Sequence, residues 1–453
     1  CKMVKFVPAS GAASRMFALW YAASERGTFG SDELDRSFFR DLRQMPFYPF
    51  LKQSDSTRRM IRRRDVRSVL QSILFPSGLD FGGLPKALIP FHAYRSGEVR
   101  TALEEHLREA ADLITDGRGV CRLHFTVSAG HVKPVKTFLQ SCVPRLEESR
   151  GVRFRVDLSV QSPSTSIVAA DGHHRPFRDE EGGLVFRPGG HGALLQNLQR
   201  IDADLIFVKN IDNIPPEFLQ KKILPCKKLL GGLMLETRRQ VYSCLKRLER
   251  KDLSLTDLQA VSDFCRDALH SDLPKGFQKL KAEEQRQWLF RLLNRPLRVC
   301  GMVRNEGEPG GGPFWVLEKD QSRTLQIVES AHVDFNVPQQ AGIWLEASYF
   351  NPVDMVCCIK NYRGEKFILD DYVNRDAYLI SPKTEKGREL LAQELPGLWN
   401  GGMAFWNTIF VELPLAAFNP VKTIYDLLRP QHRTGRAVKS SIVPTRPEKR
   451  PAP

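Results

Sequence analysis

Three positively charged residues occupy sequence settings that suit phosphate binding. Arg15 ends a run of small residues, 9–14, between an apolar strand-like stretch and an apolar helix-like stretch. Lys86 lies in an apolar loop between two prolines, which restrict its freedom. Lys422 lies at the start of a short helical pattern, where a cation opposes the helix dipole. An anionic ligand would compensate these charges, so we predict that Arg15, Lys86 and Lys422 bind phosphate.

The small residues of the first loop let the backbone approach an anion. Ser10, Gly11 and Ala12 add little bulk, and a strand, a small-residue loop and a helix present backbone N–H groups to phosphate. The loop lacks the Gly-Lys-Ser/Thr ending of a P-loop and the spacing of a Rossmann fingerprint. Taken alone, it is equally well interpreted as a tight turn without a ligand.

A second glycine-rich loop comes before an acidic residue that follows a buried strand pattern. Gly190 and Gly192 flank His191, and glycines leave room for a flat base or a sugar against the backbone. Asp212 follows the apolar residues 205–208, and open α/β sheets bind ligands beyond the carboxyl ends of their strands. A carboxylate there can hold Mg²⁺ against phosphate oxygens. The alternative for Asp212 is a turn or capping residue.

The elements that position these residues alternate between strand-like and helix-like patterns. Strand-like patterns cover residues 2–8, 120–127, 152–160, 205–208, 299–303, 314–317, 324–328, 344–348, 353–359 and 408–413. Helical patterns cover residues 24–75, 98–114, 131–146, 192–201 and 216–293. This alternation predicts an α/β fold with a mostly parallel mixed sheet and helices on both faces.

We predict one catalytic domain over residues 1–430. The almost purely helical segments at about 17–80 and 216–293 break the alternation and are interpreted as insertions. Residues 431–453 are rich in Pro, Arg and Lys and have little to bury, which predicts a disordered basic tail.

The net charge of +15 is concentrated in three segments, residues 52–67, 221–251 and 429–453. A basic helical face is most often a solvated surface, and no aromatic-interleaved basic module accompanies these segments. We therefore expect no nucleic-acid partner, and nucleic-acid binding through the helical insertions is the weaker hypothesis.

The cysteine pattern and the hydropathy predict a cytoplasmic protein without a membrane partner. None of the nine cysteines forms a Cys-x-x-Cys pair, and most lie among apolar residues, as reduced core thiols do. No apolar stretch reaches the length of a membrane helix. The apolar start is broken by Pro8 too early for a signal peptide, and because position 1 is not Met we expect the natural start to lie upstream.

Five motifs, in the same order along the chain, resemble those of the UDP-sugar pyrophosphorylase (nucleotide-diphospho-sugar transferase) superfamily. They are the loop at 8–16, the Pro-Lys-x-Leu-x-Pro element at 85–90, the Pro-Gly-Gly-His-Gly loop at 188–192, the Asn-x-Asp-Asn element at 210–213 and the Pro-Val-Lys-Thr element at 420–423. Residues 2–428 also resemble a bacterial family defined as a domain of unknown function. One departure is Ala12 and Ala13, where the superfamily is rich in glycine.

The resemblance implies a Rossmann-like fold and a role for each matched residue. Glu329, Asn351 and Asp354 are included because they lie at positions that resemble further elements of the superfamily. The implied roles are catalytic for Arg15, Lys86 and Lys422; nucleotide-binding for Ser10, Gly11, Ala12, Gly190, His191 and Gly192; sugar-binding for Glu329 and Asn351; and metal-binding, to Mg²⁺, for Asp212 and Asp354.

The implied reaction joins a nucleoside triphosphate, with UTP expected, to a sugar 1-phosphate and releases pyrophosphate. Cations and Mg²⁺ bring the two polyanions together, so no protein nucleophile is required. One alternative is a nucleotide-sugar-binding protein without catalysis, which Ala12 and Ala13 favour. Another is a glycosyltransferase on the same fold that uses Asp212 for its metal.

Overall fold

The computed structural model places α-helices and β-strands in alternation along the chain, which confirms the predicted α/β class. Ala12 and residues 434–453 of the predicted tail lie outside the described residues. The structure describes residues 1–11, 13–307, 310–318, 321–385 and 387–433.

The regular elements of the described residues are numbered in chain order. The helices are α1 (Ala18–Arg26), α2 (Asp32–Leu42), α3 (Tyr48–Leu51), α4 (Asp55–Arg63), α5 (Val66–Leu74), α6 (Ala102–Ile114), α7 (Val132–Arg150), α8 (Leu195–Arg200), α9 (Glu217–Leu248), α10 (Leu255–Asp267), α11 (Ala282–Leu293) and α12 (Pro338–Leu345). The strands are β1 (Met3–Pro8), β2 (Pro90–Ala93), β3 (Val99–Thr101), β4 (Val120–Val127), β5 (Arg153–Val160), β6 (Ser166–Val168), β7 (Phe186–Pro188), β8 (Leu205–Lys209), β9 (Leu297–Arg304), β10 (Gly311–Leu317), β11 (Arg323–Glu329), β12 (Tyr349–Phe350), β13 (Asp354–Cys358), β14 (Leu379–Glu385), β15 (Arg388–Glu394) and β16 (Asn407–Glu412).

The chain divides into two compact units, each assembled from separate stretches of sequence. Unit 1 contains Cys1–Phe6, Ser159–Lys209 and Pro225–Leu415. Unit 2 contains Val7–Leu158, Asn210–Leu224 and the described residues from Ala416 on. The single catalytic domain over residues 1–430 and its two helical insertions stay predictions.

Unit 1 is built on a mixed sheet. Its strands follow the order β12, β9, β13, β8, β1, and β16 pairs with β9. β8 runs parallel to β1 and antiparallel to β13. Every residue of β8 is buried, as a continuous apolar run predicts for a central strand. The core side chains of this sheet include Phe6, Ile206, Val208, Met355 and Trp406.

Unit 2 packs its first helices around an aromatic cluster. Trp20 of α1 is fully buried, and its ring centroid lies 5.5 Å from that of Phe38 and 6.2 Å from that of Phe47. Phe47 in turn meets Phe81 edge to face at 5.1 Å. These large rings bury much of the apolar area that holds α1 to α3 together.

Within the helical pattern predicted over residues 24–75, a turn separates α4 from α5. Arg64 adopts a left-handed conformation, with φ of +56°, and ends α4. The side chain of Asp65 then accepts a hydrogen bond from the backbone N–H of Ser68 at 3.0 Å and caps α5. The apolar spacing predicted the helices but did not show this break.

The strand predicted at residues 344–348 is wrong. Its apolar residues belong to the end of α12, and the short strand β12 follows them. Pro338 is the first residue of α12, where its fixed φ suits the start of a helix. Short apolar runs do not distinguish a strand from a helical turn, which explains the error.

Among the described helices, none combines the length and the apolar character that a membrane crossing requires.

Candidate functional site

Two lysines from distant stretches of sequence meet at one carboxylate in unit 2. The Nζ atom of Lys86 lies 3.1 Å from Oδ2 of Asp212, and the Nζ atom of Lys422 lies 3.3 Å from the same oxygen. Lys86 also donates a hydrogen bond to the carbonyl oxygen of Val421 at 3.0 Å. We call Lys86, Asp212 and Lys422 the lysine–aspartate cluster.

The cluster carries a net positive charge and reaches solvent through Lys422. The side chains of Lys86 and Asp212 are each 13% exposed, whereas that of Lys422 is 55% exposed. Burial raises the pKa of Asp212, but the charges of Lys86 and Lys422 outweigh burial, so the net shift of its pKa is downward. Asp212 is therefore ionised beside two ammonium groups, and an anion would be attracted to this place.

The opening loop and the lysine loop are joined by backbone hydrogen bonds. The N–H of Lys86 donates to the carbonyl oxygen of Gly11 at 3.1 Å, and the N–H of Ala13 donates to that of Leu84 at 3.3 Å. Lys86 begins a 3₁₀ helix, Lys86–Leu88, that follows a proline. This pairing fixes the backbone of Lys86 and thus the origin of its side chain.

The segment that carries Asp212 is fixed from two directions. The N–H of Ile211 donates to the carbonyl oxygen of Pro8 at 3.4 Å. The Nε2 atom of the buried His106 lies 3.2 Å from the carbonyl oxygen of Ile211 and donates to it. Sequence reasoning missed His106, because its partner is a backbone atom more than a hundred residues away.

The C-terminal segment docks on the residues around Asp212. The N–H of Val421 donates to the carbonyl oxygen of Asp212 at 2.9 Å. The side-chain oxygen of Asn213 accepts from the N–H of Asn419 at 2.8 Å, and both asparagines are buried. The motifs predicted around Asp212 and Lys422 are therefore neighbours in space.

The short helix predicted after Lys422 is a 3₁₀ helix, Ile424–Leu428. The carboxylate of Asp426 accepts hydrogen bonds from the backbone N–H groups of Lys422 and Thr423, at 2.8 and 2.7 Å. Asp426 therefore supplies the negative charge at this helix start. The ammonium group of Lys422 is turned instead to Asp212.

Arg15 lies in the turn that follows the opening loop. It ends the 3₁₀ helix Ala13–Arg15, its side chain is exposed, and it makes no ion pair within the described residues. The carbonyl oxygen of the next residue, Met16, accepts from the N–H of Ile424 at 3.1 Å. The turn that carries Arg15 is thus bonded to the segment just after Lys422. The guanidinium of Arg15 itself is exposed and could reach a ligand.

Gly11 has open space beside it, whereas Ala13 is packed. Among the described residues, no heavy atom apart from the chain neighbours of Gly11 lies within 4 Å of the position that a Cβ would occupy there. Ser10 is half-buried, and the side chain of Ala13 is fully buried inside unit 2. Ala12 lies outside the described residues, so its predicted nucleotide contact stays a prediction.

His191 lies in unit 1, in a stacked aromatic contact. Its ring is nearly parallel to that of Trp399, with centroids 4.3 Å apart, and its Nδ1 accepts from the N–H of Leu398 at 3.0 Å. Burial lowers the pKa of His191, although the nearby Glu329 and Glu394 act in the opposite direction. The imidazole is therefore neutral and oriented by the protein itself.

The glycines beside His191 face the protein's own chain. A Cβ on Gly192 would lie 2.2 Å from the carbonyl oxygen of Pro396, and Gly190 has a φ of +70° with Glu394 close by. At Gly192 the protein backbone fills the space that a Cβ would occupy, and the predicted nucleotide contact of Gly192 stays a prediction. A nucleotide contact of Gly190 and His191 stays a prediction.

Asp354 is a buried ion-pair centre in unit 1. Its Oδ2 atom lies 3.0 Å from Nζ of Lys227 and 3.3 Å from Nζ of Lys209, and the lysine side chains are only 2% exposed. The two lysines compensate the charge of Asp354, and its predicted metal-binding role stays a prediction. The sequence did not reveal these partners, because they depend on the register of β8 against β13 and on the position of α9.

The two predicted sugar-binding residues, Asn351 and Glu329, differ in burial. Asn351 is buried; its Nδ2 donates to the carbonyl oxygen of Gly301 at 2.9 Å and its Oδ1 accepts from the N–H of Val353 at 3.0 Å. Its amide therefore shapes the turn before β13. Glu329 is half-buried at the end of β11, where it precedes and caps the 3₁₀ helix Ser330–His332, and its sugar-binding role stays a prediction.

The structure is thus that of an α/β protein in which two lysines and one aspartate meet in unit 2. The chain belongs to the family described as Domain of unknown function (DUF4301), whose model matches residues 1–433. A search of the curated proteins gave no match.

Solved structures similar to this chain include UDP-glucose pyrophosphorylases. A mutant of the Leishmania major enzyme in complex with UDP-glucose is 16% identical, with a TM-score of 0.42, over 76% of this chain and 61% of that chain. A UDP-glucose phosphorylase from Trypanosoma brucei is also similar, being 16% identical, with a TM-score of 0.42, over 76% of this chain and 62% of that chain. The chain thus spans less than two thirds of the length of these two structures.

Proposed function

We propose that the protein transfers a nucleotidyl group from a nucleoside triphosphate, UTP, to a sugar 1-phosphate. The observation that carries the proposal is the meeting of Lys86 and Lys422 at Asp212. These residues come from three stretches of sequence that were selected by their motifs alone. Such a meeting supports a shared role in binding phosphate, because two cations and one carboxylate leave a net positive charge.

The reaction requires little from the protein besides charge and position. An oxygen of the sugar phosphate attacks the α-phosphorus of the triphosphate, the bond from that phosphorus to the β-phosphate oxygen breaks, and pyrophosphate leaves. Lys422, the exposed member of the cluster, would contact the reacting phosphate, while Lys86 holds Asp212. Arg15 would bind the departing phosphates through its exposed guanidinium.

Asp212 fits a magnesium site of the kind that is completed by substrate. Its Oδ2 binds the two lysines, and its Oδ1 has no hydrogen-bond partner in the described part of the chain. No group of three or more His, Cys, Asp or Glu among the described residues is arranged to hold a metal. Mg²⁺ often takes one or two carboxylates and receives its other ligands from phosphate and water. Bound there, Mg²⁺ would neutralise charge on the phosphates.

The first test is a substrate screen. The full chain is incubated with UTP, Mg²⁺ and a panel of sugar 1-phosphates, and released pyrophosphate is measured. We expect release that depends on both the nucleotide and one of the sugar phosphates. Absence of release with every nucleoside triphosphate and every sugar phosphate would overturn the proposal.

A nucleotide-sugar-binding protein without catalysis is the second candidate. Ala13 no longer favours it, because the buried methyl group of Ala13 does not narrow the open side of the loop. Binding of a nucleotide sugar without pyrophosphate exchange would favour this candidate. Transfer or hydrolysis of a nucleotide sugar, with no use of free triphosphate, would instead indicate a glycosyltransferase.

A further inference from the structure

Helices α2, α3 and α4 of unit 2 surround a cavity of about 670 Å³ whose lining is mostly cationic. Seven of the lining side chains are arginine or lysine. None of the residues of the lysine–aspartate cluster lines this cavity. It is therefore a separate feature of unit 2, which we call the arginine cavity.

Most of these cations have no acidic partner. Arg40 lies 3.4 Å from Asp41, and Arg58 pairs with Asp55. The other five cations make no ion pair within the described residues. They are Arg36, Lys52, Arg43, Arg62 and Arg64.

The helical spacing places the arginines on shared faces. Arg36, Arg40 and Arg43 follow one another at intervals of four and three residues on α2 or at its end, and Arg58 and Arg62 are four residues apart on α4. Like charges at this spacing destabilise a helix. An anionic ligand in the cavity would remove that cost.

The backbone adds a second unfavourable feature at the cavity. Arg64 lines it from a left-handed conformation, with a φ of +56°, which is costly for a residue with a Cβ atom. That turn ends α4 and brings a further guanidinium to the cavity wall.

The arginines are not what holds these helices in place. Ser31 and Ser54 cap α2 and α4 by accepting hydrogen bonds from backbone N–H groups, each at 3.3 Å. Phe39 and Ile61 are buried beneath the cavity and supply apolar contacts. The cationic side chains are exposed, so their replacement tests binding without removing the core.

We propose that the arginine cavity binds a compact anion that carries several phosphate groups. Guanidinium groups bind phosphate through paired hydrogen bonds, and the cavity volume is in the range of small-molecule sites. A single-stranded nucleic acid would instead need open aromatic faces for stacking. Phe39 is buried, and the ring of Tyr48 is covered by Lys52, whose Nζ lies 5.3 Å from the ring centroid.

The test is a calorimetric titration of the full chain with sodium tripolyphosphate at low ionic strength. We expect saturable binding, with an affinity that falls about tenfold or more in Arg62→Gln/Arg64→Gln and in Arg36→Gln/Arg43→Gln. Arg62→Lys/Arg64→Lys keeps the charge but loses the paired donors, so it should bind with intermediate affinity. Inorganic phosphate alone should bind more weakly than tripolyphosphate.

The matched control is Arg59→Gln/Arg63→Gln. It removes the same charge from the same stretch of α4, but neither residue lines the cavity. Its affinity should stay close to that of the wild type. Thermal unfolding of each variant establishes that the fold is retained.

Four results would overturn the proposal. The wild type does not bind tripolyphosphate saturably, or the matched control loses as much affinity as the cavity variants. The affinity for tripolyphosphate falls in Lys422→Ala and not in the cavity variants, which would place the ligand at the lysine–aspartate cluster. A single-stranded oligonucleotide binds more tightly than tripolyphosphate and depends on the same arginines, which would make the cavity a nucleic-acid site.

Discussion

Asp212 is nearly buried, and its two lysine partners differ in exposure. Lys86 is buried with it and also donates to the carbonyl oxygen of Val421, whereas more than half of the Lys422 side chain is exposed. Exposed ion pairs contribute little to stability, and unpaired buried charges cost much more. The two lysines should therefore have different effects when they are removed.

We predict that Lys86→Met lowers the free energy of unfolding by about 1–3 kcal/mol, because the carbonyl of Val421 and the carboxylate of Asp212 lose the donor that they share. Lys422→Met should lower it by less than about 1 kcal/mol. Urea denaturation measures both values. The control is Lys136→Met, an exposed lysine of α7 with no ion pair in the described residues. Equal losses for the two cluster lysines would contradict this account of the site.

A buried histidine pair in unit 2 gives the protein a pH dependence. The Nε2 atom of His92 lies 3.0 Å from Nδ1 of His432, and Nδ1 of His92 lies 2.9 Å from Oε1 of Glu105. Burial, followed by the charges of His92 and Arg429, lowers the pKa of His432 well below its usual value. The folded protein therefore keeps His432 neutral at a pH where the unfolded chain binds a proton.

The sign follows from this difference in bound protons. Below a pH of about 6.5 the unfolded state binds more protons, so the free energy of unfolding falls as the pH falls, by at most about 1.4 kcal/mol per pH unit for this group. Urea denaturation at about pH 7.5, 6.5 and 5.5 measures the slope. In His432→Gln the slope should be shallower than in the wild type. An unchanged slope would show that His432 does not contribute.

Lys86 and Lys422 could be chosen from sequence as candidate site residues because their neighbours in the chain are informative. Prolines flank the loop of Lys86, and Lys422 precedes a helical pattern. The partners of Asp354 were not predictable, because Lys209 and Lys227 reach it only through strand register and helix packing. Local sequence describes the setting of a residue but not the partner that the fold brings to it.

The two glycine-containing loops differ in how closely the rest of the chain approaches them. At Gly192 the chain from Leu395 to Pro396 passes so closely that a Cβ would overlap two backbone carbonyl oxygens. At Gly11 a Cβ would meet no atom of the described part of the chain within 4 Å, apart from the adjoining residues. Backbone atoms cannot move as a flexible side chain can. Substitution by alanine should therefore be tolerated at Gly11 and not at Gly192.

We predict that Gly192→Ala destabilises the protein by more than about 2 kcal/mol, whereas Gly11→Ala changes stability by less than about 1 kcal/mol. Thermal unfolding monitored by circular dichroism measures both. A neutral Gly192→Ala would mean that the chain at Pro396 has room to retreat. In that case the loop around Gly192 would have the open space that its glycines predicted.

Elements with long, uniform patterns were predicted with nearly their observed bounds. β4 matches the predicted strand at 120–127, and the helical segment at 216–293 contains α9, α10 and α11. The hairpin of β14 and β15 was missed, because its strands carry many charged residues and lack a clear apolar alternation. The strand predicted at 344–348 failed because its apolar run is too short to define a period.

At the scale of the whole molecule, the sequence predicted the α/β class but not the division into two units. Each unit combines stretches that are far apart in sequence, and no composition shift marks those boundaries. The basic segment at 52–67 was interpreted as a solvated helical face. In the structure, four of its cations line the arginine cavity, which the linear charge pattern did not reveal.

If the lysine–aspartate cluster supports nucleotidyl transfer, its removal should slow the release of pyrophosphate at saturating UTP, Mg²⁺ and the preferred sugar phosphate. We predict that Lys422→Ala lowers kcat by about a hundredfold or more while its folding stability stays close to that of the wild type. Lys136→Ala, the matched exposed lysine, should keep the wild-type kcat. A Lys422→Ala protein that releases pyrophosphate as fast as the wild type would contradict the claim.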